Sequence, residues 1–325
     1  IMVSSSKESG SDMTTPVRTV IVPAAGMGTR FLPATKTVPK ELLPVVDTPG
    51  IEMIAEEAAA TGAQRLAIVT APSKDGVLGH FDPRPDLEQT LAERGKDKIA
   101  AKVRRATEVI RVESVVQDRP LGLGHAVLVA EPLLEDDEDS VAVMLPDDLV
   151  LPVGVMDRMT EVRERFGGSV LCALEIPHEE VYNYGVFDIE DATPAESGEL
   201  GENAADADAW DDVKRVKGMV EKPDPADAPS NFVAVGRYLL DRAIFDALRR
   251  IPRGKGGEYQ LTDAIELLIQ EGHPVHVVVH KGFRHDLGNP GGFIRACVDF
   301  GLRHPDYGEG LREYMQQRLA QDEQA

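Results

Sequence analysis

Short β-branched runs alternate along this chain with longer stretches whose apolar residues recur at helical spacing. Val17–Pro23 (VRTVIVP) reads as a buried strand and Arg65–Thr70 (RLAIVT) as a second. Between them Ile51–Thr61 is Ala- and Glu-rich, keeps a helical period and stops at Gly62. The alternation returns with a strand at Val109–Val116, a helix after Gly124 and a strand at Val141–Leu145. A helix after Val153 and a strand at Ser169–Leu174 continue it. Beyond about residue 175 the rhythm breaks, and strands at Val186–Ile189, Val213–Val220 and Phe232–Val235 follow one another. Helices at Arg242–Ile251 and Leu261–Gln270 and a strand at Pro274–His280 come next, and from Gly291 the chain reads as mostly helical. This pattern predicts an α/β fold with a Rossmann-like, mixed but mostly parallel sheet and helices on both faces.

The expected layout is a mobile Ser-rich tail at 1–16, one α/β domain at 17–290 and a helical C-terminal extension at 291–325. An Ala/Asp/Glu/Gly-rich tract over 191–212 separates two strands of one hairpin and has the composition of a disordered insertion.

Composition narrows the function. The 325 residues are 42% apolar and 28% charged, enough for a sizeable core. With 56 acidic against 35 basic residues the net charge is −21, which repels nucleic acid and anionic membranes but allows a small anion in a locally basic pocket. No stretch approaches membrane-span length, and the N-terminus lacks a signal-peptide core. Two scattered cysteines, Cys172 and Cys297, form neither a disulfide framework nor a zinc pattern, which fits a cytoplasmic protein. The acidic run Glu135–Asp139 lacks calcium-loop spacing and reads as a solvated loop. His273, His276 and His280 have no ligand partner at useful spacing and read as structural or surface residues.

The chemistry concentrates in Ile21–Val46, where a buried strand runs into Gly26-Met-Gly28-Thr-Arg30. Glycines there let backbone N–H groups approach phosphate oxygens. The segment lacks the spacer and Gly-Lys-Ser/Thr ending of a Walker A loop. It also fails as a dinucleotide fingerprint, because Phe31 takes the third glycine position and Pro33, Pro39 and Pro44 forbid a regular helix. Arg30 and Lys40 on a proline-stiffened loop at a strand's carboxyl end suit a triphosphate.

Ala24–Asp47 (AAGMGTRFLPATKTVPKELLPVVD) closely resembles the opening signature of the sugar-nucleotide pyrophosphorylases, and within them the bacterial UDP-glucose pyrophosphorylases. The resemblance continues through SKDGVLGHFD (Ser73–Asp82), QDRPLGLGHAV (Gln117–Val127), LPDD (Leu145–Asp148), NYGVF (Asn183–Phe187), VEKP (Val220–Pro223) and HDLGNPGGF (His285–Phe293). It implies the nucleotide-diphospho-sugar transferase fold and uridylyl transfer from UTP to glucose 1-phosphate, giving UDP-glucose and pyrophosphate with Mg²⁺. Thymidylyl or adenylyl transfer to the same sugar phosphate, and a non-catalytic sugar-nucleotide sensor, are the alternatives.

By the same resemblance Arg30 and Lys40 sit at the nucleotide phosphates, with Lys40 near the leaving pyrophosphate, and Lys222 sits at the sugar phosphate. Glu221 accepts from sugar hydroxyls, and Gly185 offers its backbone to the hexose. Ala25, Gly26, Gln117 and Gly122 form the base pocket, with the Gln117 carboxamide able to accept from uracil N3–H and donate to O4. Asp147 and Asp286 hold the metal, and Asp148 is expected to be an N-cap or surface acid. His285 stands where the family more often has an aromatic. His125, at the start of the helix beside the base, is expected to pack or cap rather than act as an acid. The resemblance further implies a homodimer or homotetramer.

One difficulty is visible in the sequence. Alternation along a strand points neighbouring side chains apart, so a joint role for Glu221 and Lys222 requires a strand end or local twist.

Overall fold

Each of the β-branched runs forms a strand in a computed structural model that describes residues 17–72, 74–192 and 209–322. The tail expected at 1–16 and the central part of the acidic tract, 193–208, lie outside the described residues. The strands are β1 (Thr19–Pro23), β2 (Pro44–Val45), β3 (Thr48–Pro49), β4 (Arg65–Thr70), β5 (Arg111–Val116), β6 (Ser140–Met144) and β7 (Asp148–Leu151). They continue with β8 (Ser169–Glu175), β9 (Gly185–Asp191), β10 (Val213–Glu221), β11 (Phe232–Asp241), β12 (Val275–Val279) and β13 (Phe283–Asp286). The helices are α1 (Gly50–Ala60), α2 (Asp75–Gly79), α3 (Pro85–Glu93), α4 (Asp97–Glu108), α5 (Leu123–Val129) and α6 (Val155–Phe166). After them come α7 (Ile244–Arg250), α8 (Leu261–Gln270), α9 (Pro290–Arg303) and α10 (Gly308–Asp322).

A 9-stranded sheet runs in the order β5-β4-β1-β6-β11-β8-β12-β10-β9. It is mixed rather than mostly parallel, which corrects the sequence expectation. From β5 to β6 all pairings are parallel, as is β8 with β12. Strand β11 is antiparallel to both β6 and β8, and β10 is antiparallel to β12 and β9. The reason is the connections. Helical crossovers join the first strands, whereas beyond residue 175 a hairpin joins β9 to β10 and β11 inserts antiparallel between β6 and β8.

The sheet separates two apolar layers. Val20 and Val22 face the core shared with α1, α6 and Ala296 of α9, while Ile21 between them faces the core of α5, α7 and α8. All three are fully buried, the alternation expected of a strand covered on both sides. Helices α3 and α4 were not legible in the pattern, because α3 buries no residue and α4 only Ala100 and Ala106.

The acidic run Glu135–Asp139 is not a free solvated loop. Glu138 is buried and accepts from Thr19 and Arg65, Asp137 pairs with Arg18, and Arg242 donates to the carbonyls of Glu135 and Glu138. Of the three histidines, His276 is buried against Phe166 and His280 sits near the Leu151 carbonyl. Among the described residues no three His, Cys, Asp or Glu side chains group as metal ligands, and no helix is long and apolar enough to cross a membrane.

Candidate active site

Parallel strands end at one edge of the sheet, and a crevice outside that edge is where such sheets take ligands. Here β1, β4, β5 and β6 deliver the Ala24–Gly28 turn, Gln117 and Asp147 to the same edge. The Ala24 N–H donates to the Val69 carbonyl at 2.7 Å and the Gln117 N–H to the Thr70 carbonyl at 2.8 Å, so both segments leave the sheet in register.

The prolines act as expected. Residues 29–42 form three short 3₁₀ turns and no regular helix. Gly28 adopts φ +62°, and a Cβ there would press on Thr35 and on Lys40 Cβ at 3.2 and 3.3 Å. That glycine therefore folds the loop onto itself and brings Lys40 back toward the strand ends. Gly26 differs: a Cβ on it would meet nothing within 4 Å, leaving its exposed backbone open to a ligand.

Behind the loop lies a buried cation. Lys74 Nζ donates to the Ala24 carbonyl at 2.7 Å and to both Glu41 oxygens at 3.0 and 2.9 Å. Burial lowers its pKa, against the pull of Glu41. Lys74 ties the end of β1 to the turn that carries Lys40. Only its place in the SKDGVLGHFD segment marked it in the sequence.

A cavity of about 640 Å³ gathers Arg30, Asp147, Gly185, Glu221, Lys222 and Asp286. Ala25, Gly26, Gln117 and Gly122 lie outside its lining, and Lys40 joins it through an ion pair with Asp147. Two strand pairings assemble it. Antiparallel β13 and β7 place Asp286 opposite Asp148, and the Leu287 N–H bonds the Asp147 carbonyl at 2.7 Å. In the β9–β10 hairpin Gly185 lies opposite Glu221.

The strand difficulty is resolved by the backbone. Strand β10 stops at Glu221, and Lys222 adopts φ +48°, the left-handed region that non-glycine residues seldom enter. This twist puts both side chains on the cavity wall, with Lys222 Nζ 2.8 Å from Glu221 Oε1. Thr262 donates to the other Glu221 oxygen at 2.7 Å. A Cβ on Gly185 would stand 2.7 Å from the Met219 methyl and 3.3 Å from Glu221 Oε2. A side chain there would displace the Met219 methyl and crowd Glu221.

The carboxylates divide by environment. Burial pushes the Asp147 carboxyl up, but Lys40 and Arg284 pull it net below the usual carboxylate range. Asp148 is not the N-cap or surface acid expected from sequence. It is buried, begins β7 and accepts from the Gly236 N–H at 2.8 Å, and burial raises its pKa. Arg284, unremarked in the sequence, lies 3.2 Å from Asp148 and 3.4 Å from Asp286, and its guanidinium stands 5.0 Å over the Tyr184 ring. His285 packs between Phe283 and Phe300, filling the aromatic role of its position.

Asp147 and Asp286 converge on one point. A Cβ built on Gly288 would lie 2.8 Å from Asp147 Oδ2 and 2.9 Å from Asp286 Oδ1. Two hard carboxylates lining one cavity, on either side of Gly288, form a donor set that fits a hydrated divalent ion. The Gly288 N–H holds Asp286 Oδ1 at 2.7 Å, and Arg30 reaches the Gly288 carbonyl at 3.4 Å.

The base-side residues are stitched by backbone. Gly124 N–H bonds the Tyr259 carbonyl at 2.9 Å and Tyr259 N–H the Leu121 carbonyl at 2.8 Å. The Gln117 amide nitrogen lies 3.2 Å from the Gly122 carbonyl and 2.9 Å from His125 Nδ1. Where His125 Nδ1 is unprotonated, both amide hydrogens are used within the protein.

Comparison with known proteins identifies the family. The Nucleotidyl transferase family matches residues 19–300. A UTP–glucose-1-phosphate uridylyltransferase of Streptococcus pneumoniae is 38% identical over 308 residues, covering 93% of this chain and 96% of the relative. A UTP-bound UGPase from Acinetobacter baumannii superposes with a TM-score of 0.79 at 34% identity, covering 92% of this chain and 99% of the other. A UDP-glucose pyrophosphorylase complexed with UDP-glucose superposes with a TM-score of 0.73 at 35% identity, covering 89% and 100%. A glycine loop at the strand ends, a facing cavity that gathers both cations and carboxylates, and relatives matched along nearly their whole length lead to one assignment: the chain belongs to the UTP–glucose-1-phosphate uridylyltransferases, the UDP-glucose pyrophosphorylases of the nucleotidyl transferase family.

Proposed function

We infer that the chain transfers the uridylyl group of UTP to glucose 1-phosphate, forming UDP-glucose and releasing pyrophosphate. The observation that carries this reading is the left-handed Lys222, which sets a sugar-hydroxyl acceptor and a cation side by side facing Asp147 and Asp286.

An oxygen of the sugar phosphate attacks the α-phosphorus of UTP in line, a P–O bond forms, and the bond to the β-phosphate breaks as pyrophosphate leaves. A phosphate monoester is largely ionised near pH 7, since its second pKa is about 6, so no general base is needed. The protein's task is to position two anions and relieve their repulsion. Lys222 stands at the sugar phosphate, Arg30 and Lys40 at the nucleotide phosphates, and Glu221 and the Gly185 backbone at the hexose. Ala25, Gly26, Gln117 and Gly122 receive the base. Asp147 and Asp286 would hold the Mg²⁺ ion, which supplies charge neutralisation to the phosphates when bound. Lys40, paired with Asp147, stands where it can turn from that carboxylate to a phosphate.

The same reading takes 17–290 as the catalytic domain and 291–325 as a helical extension of a cytoplasmic enzyme. Exposed Ile294, Tyr314 and Leu319 on that extension suit contact between copies in a homodimer or homotetramer.

The test is pyrophosphate release from UTP, dTTP and ATP, each with glucose 1-phosphate and Mg²⁺. Turnover highest with UTP is the expected result. Preference for dTTP or ATP would move the chain to thymidylyl or adenylyl transfer, and binding without turnover to the sensor.

A further inference from the structure

The Gln117 side chain is held in a way that decides which of its two ends remains for a ligand. The Gly122 carbonyl, 3.2 Å from the amide nitrogen, can only accept, so the NH₂ group and not the oxygen must face it. The second amide hydrogen then points at His125 Nδ1, 2.9 Å away, which must present a lone pair. That requirement places the imidazole proton on Nε2. Burial lowers the pKa of His125 and favours the neutral ring this bond needs.

Both partners are themselves fixed. Gly122 has φ +98°, and a Cβ there would strike Glu258 Cβ at 2.7 Å and the Tyr259 carbonyl oxygen at 2.8 Å, so its backbone is wedged against the 258–259 segment. The His125 ring stacks on Tyr259 with centroids 6.2 Å apart and planes 28° from parallel.

We propose that His125 and the Gly122 carbonyl lock the Gln117 carboxamide with its oxygen toward the base, so that the site accepts pyrimidines carrying an N3–H and rejects cytosine. This rests on the reading of Gln117 as a base contact. Uracil donates its N3–H to that oxygen. Cytosine carries a lone pair at N3 and would set acceptor against acceptor, with no amide hydrogen left to turn outward. Thymine keeps the N3–H, so the lock separates uracil from cytosine and leaves the 5-methyl to pocket shape. His125 is thereby a positioning residue that acts through Gln117.

The experiment measures kcat/KM for UTP and CTP, with glucose 1-phosphate, in the full-length enzyme and three variants. His125→Phe keeps a stacking ring but removes the acceptor, and should narrow the UTP:CTP ratio by roughly 3- to 10-fold, the worth of one hydrogen bond. His125→Asn can place a carboxamide oxygen near the position of Nδ1 and should keep the ratio near the parent's. Gln117→Ala should narrow it further than His125→Phe. Equal losses with UTP and CTP in His125→Phe, leaving the ratio intact, would overturn the lock and assign the residue to packing alone. An unchanged ratio in Gln117→Ala would instead remove Gln117 from base recognition, a separate failure. Should the His125 variants not fold, ¹⁵N shifts of the parent's His125 decide: the neutral Nε2–H form supports the lock, and the Nδ1–H form rejects it.

Discussion

The two halves of the sheet hold their working residues by different means. On the parallel side, around β1 and β4, the loop bearing Lys40 is fixed from below by a buried ion pair, Lys74 with Glu41. On the antiparallel side Lys222 is fixed by backbone, at a hairpin end where a left-handed residue breaks the alternation of β10. The loop over residues 29–42 is built of isolated 3₁₀ turns with no strand pairing to set its register, and an internal tether places it. A hairpin supplies register without help, and needs only a local departure from it. The first device risks stability when disturbed, the second geometry.

Breaking the tether is expected to have the largest effect. Lys74→Met leaves Glu41 buried without its partner and should destabilise the fold by about 3–5 kcal/mol, read from denaturant unfolding. The double variant Lys74→Met, Glu41→Leu should recover part of this, because no unpaired charge remains. If the single variant melts like the parent, the tether has no such role.

On the hairpin side the loss should appear in chemistry instead. Lys222→Ala should lower kcat by about 10²–10³ while leaving UTP binding and the melting temperature nearly intact. Near-normal turnover would remove Lys222 from the mechanism and leave the left-handed residue without a functional reason.

Asp147 belongs to both halves, since it follows β6, pairs with Lys40 and lies across Gly288 from Asp286. Asp147→Asn should keep the fold and reduce Mg²⁺-dependent turnover about 100-fold, with the titration midpoint moved to higher metal. An unchanged magnesium curve would contradict its assignment.

The smallest effect concerns the base. With Gly122 and Gly124 both packed tightly against Tyr259, little room is expected for a 5-methyl group. UTP should be favoured over 5-methyl-UTP by roughly 10–200-fold in kcat/KM, the range for one methyl group, and over dTTP, which also lacks the 2′-hydroxyl, by at least as much. Equal values would withdraw the uridylyl assignment while nucleotidyl transfer stood.

Legibility followed the same division. RLAIVT and LTDAIELLIQ became β4 and α8 with the bounds read from their periodicity, because both are long, apolar and cleanly punctuated. Arg30, Asp147, Gly185, Glu221, Lys222 and Asp286, named on motif resemblance, line one cavity. What escaped was whatever depends on partners far along the chain. The order of β11 between β6 and β8 is not written in any local period, nor is the fully buried pairing of Arg237 with Glu57. Asp148 was misread for the same reason, since Gly236 and Arg284 bury and bind it from other strands. Helices α3 and α4 escaped for the opposite cause, having almost no buried face to leave a period.

The β9–β10 hairpin also has a use at the bench. Its catalytic end pairs Gly185 with Glu221, and its other end pairs Asp191 with Lys214, about 20 Å away at the rise of a β-strand. Trp210, beside that far end, is wedged between Phe166 and Arg158. It is the chain's single tryptophan, so intrinsic fluorescence reads the packing of this far end. Emission from Trp210 is thus a built-in gauge of whether the hairpin holds its place, read without touching the cavity about 20 Å away.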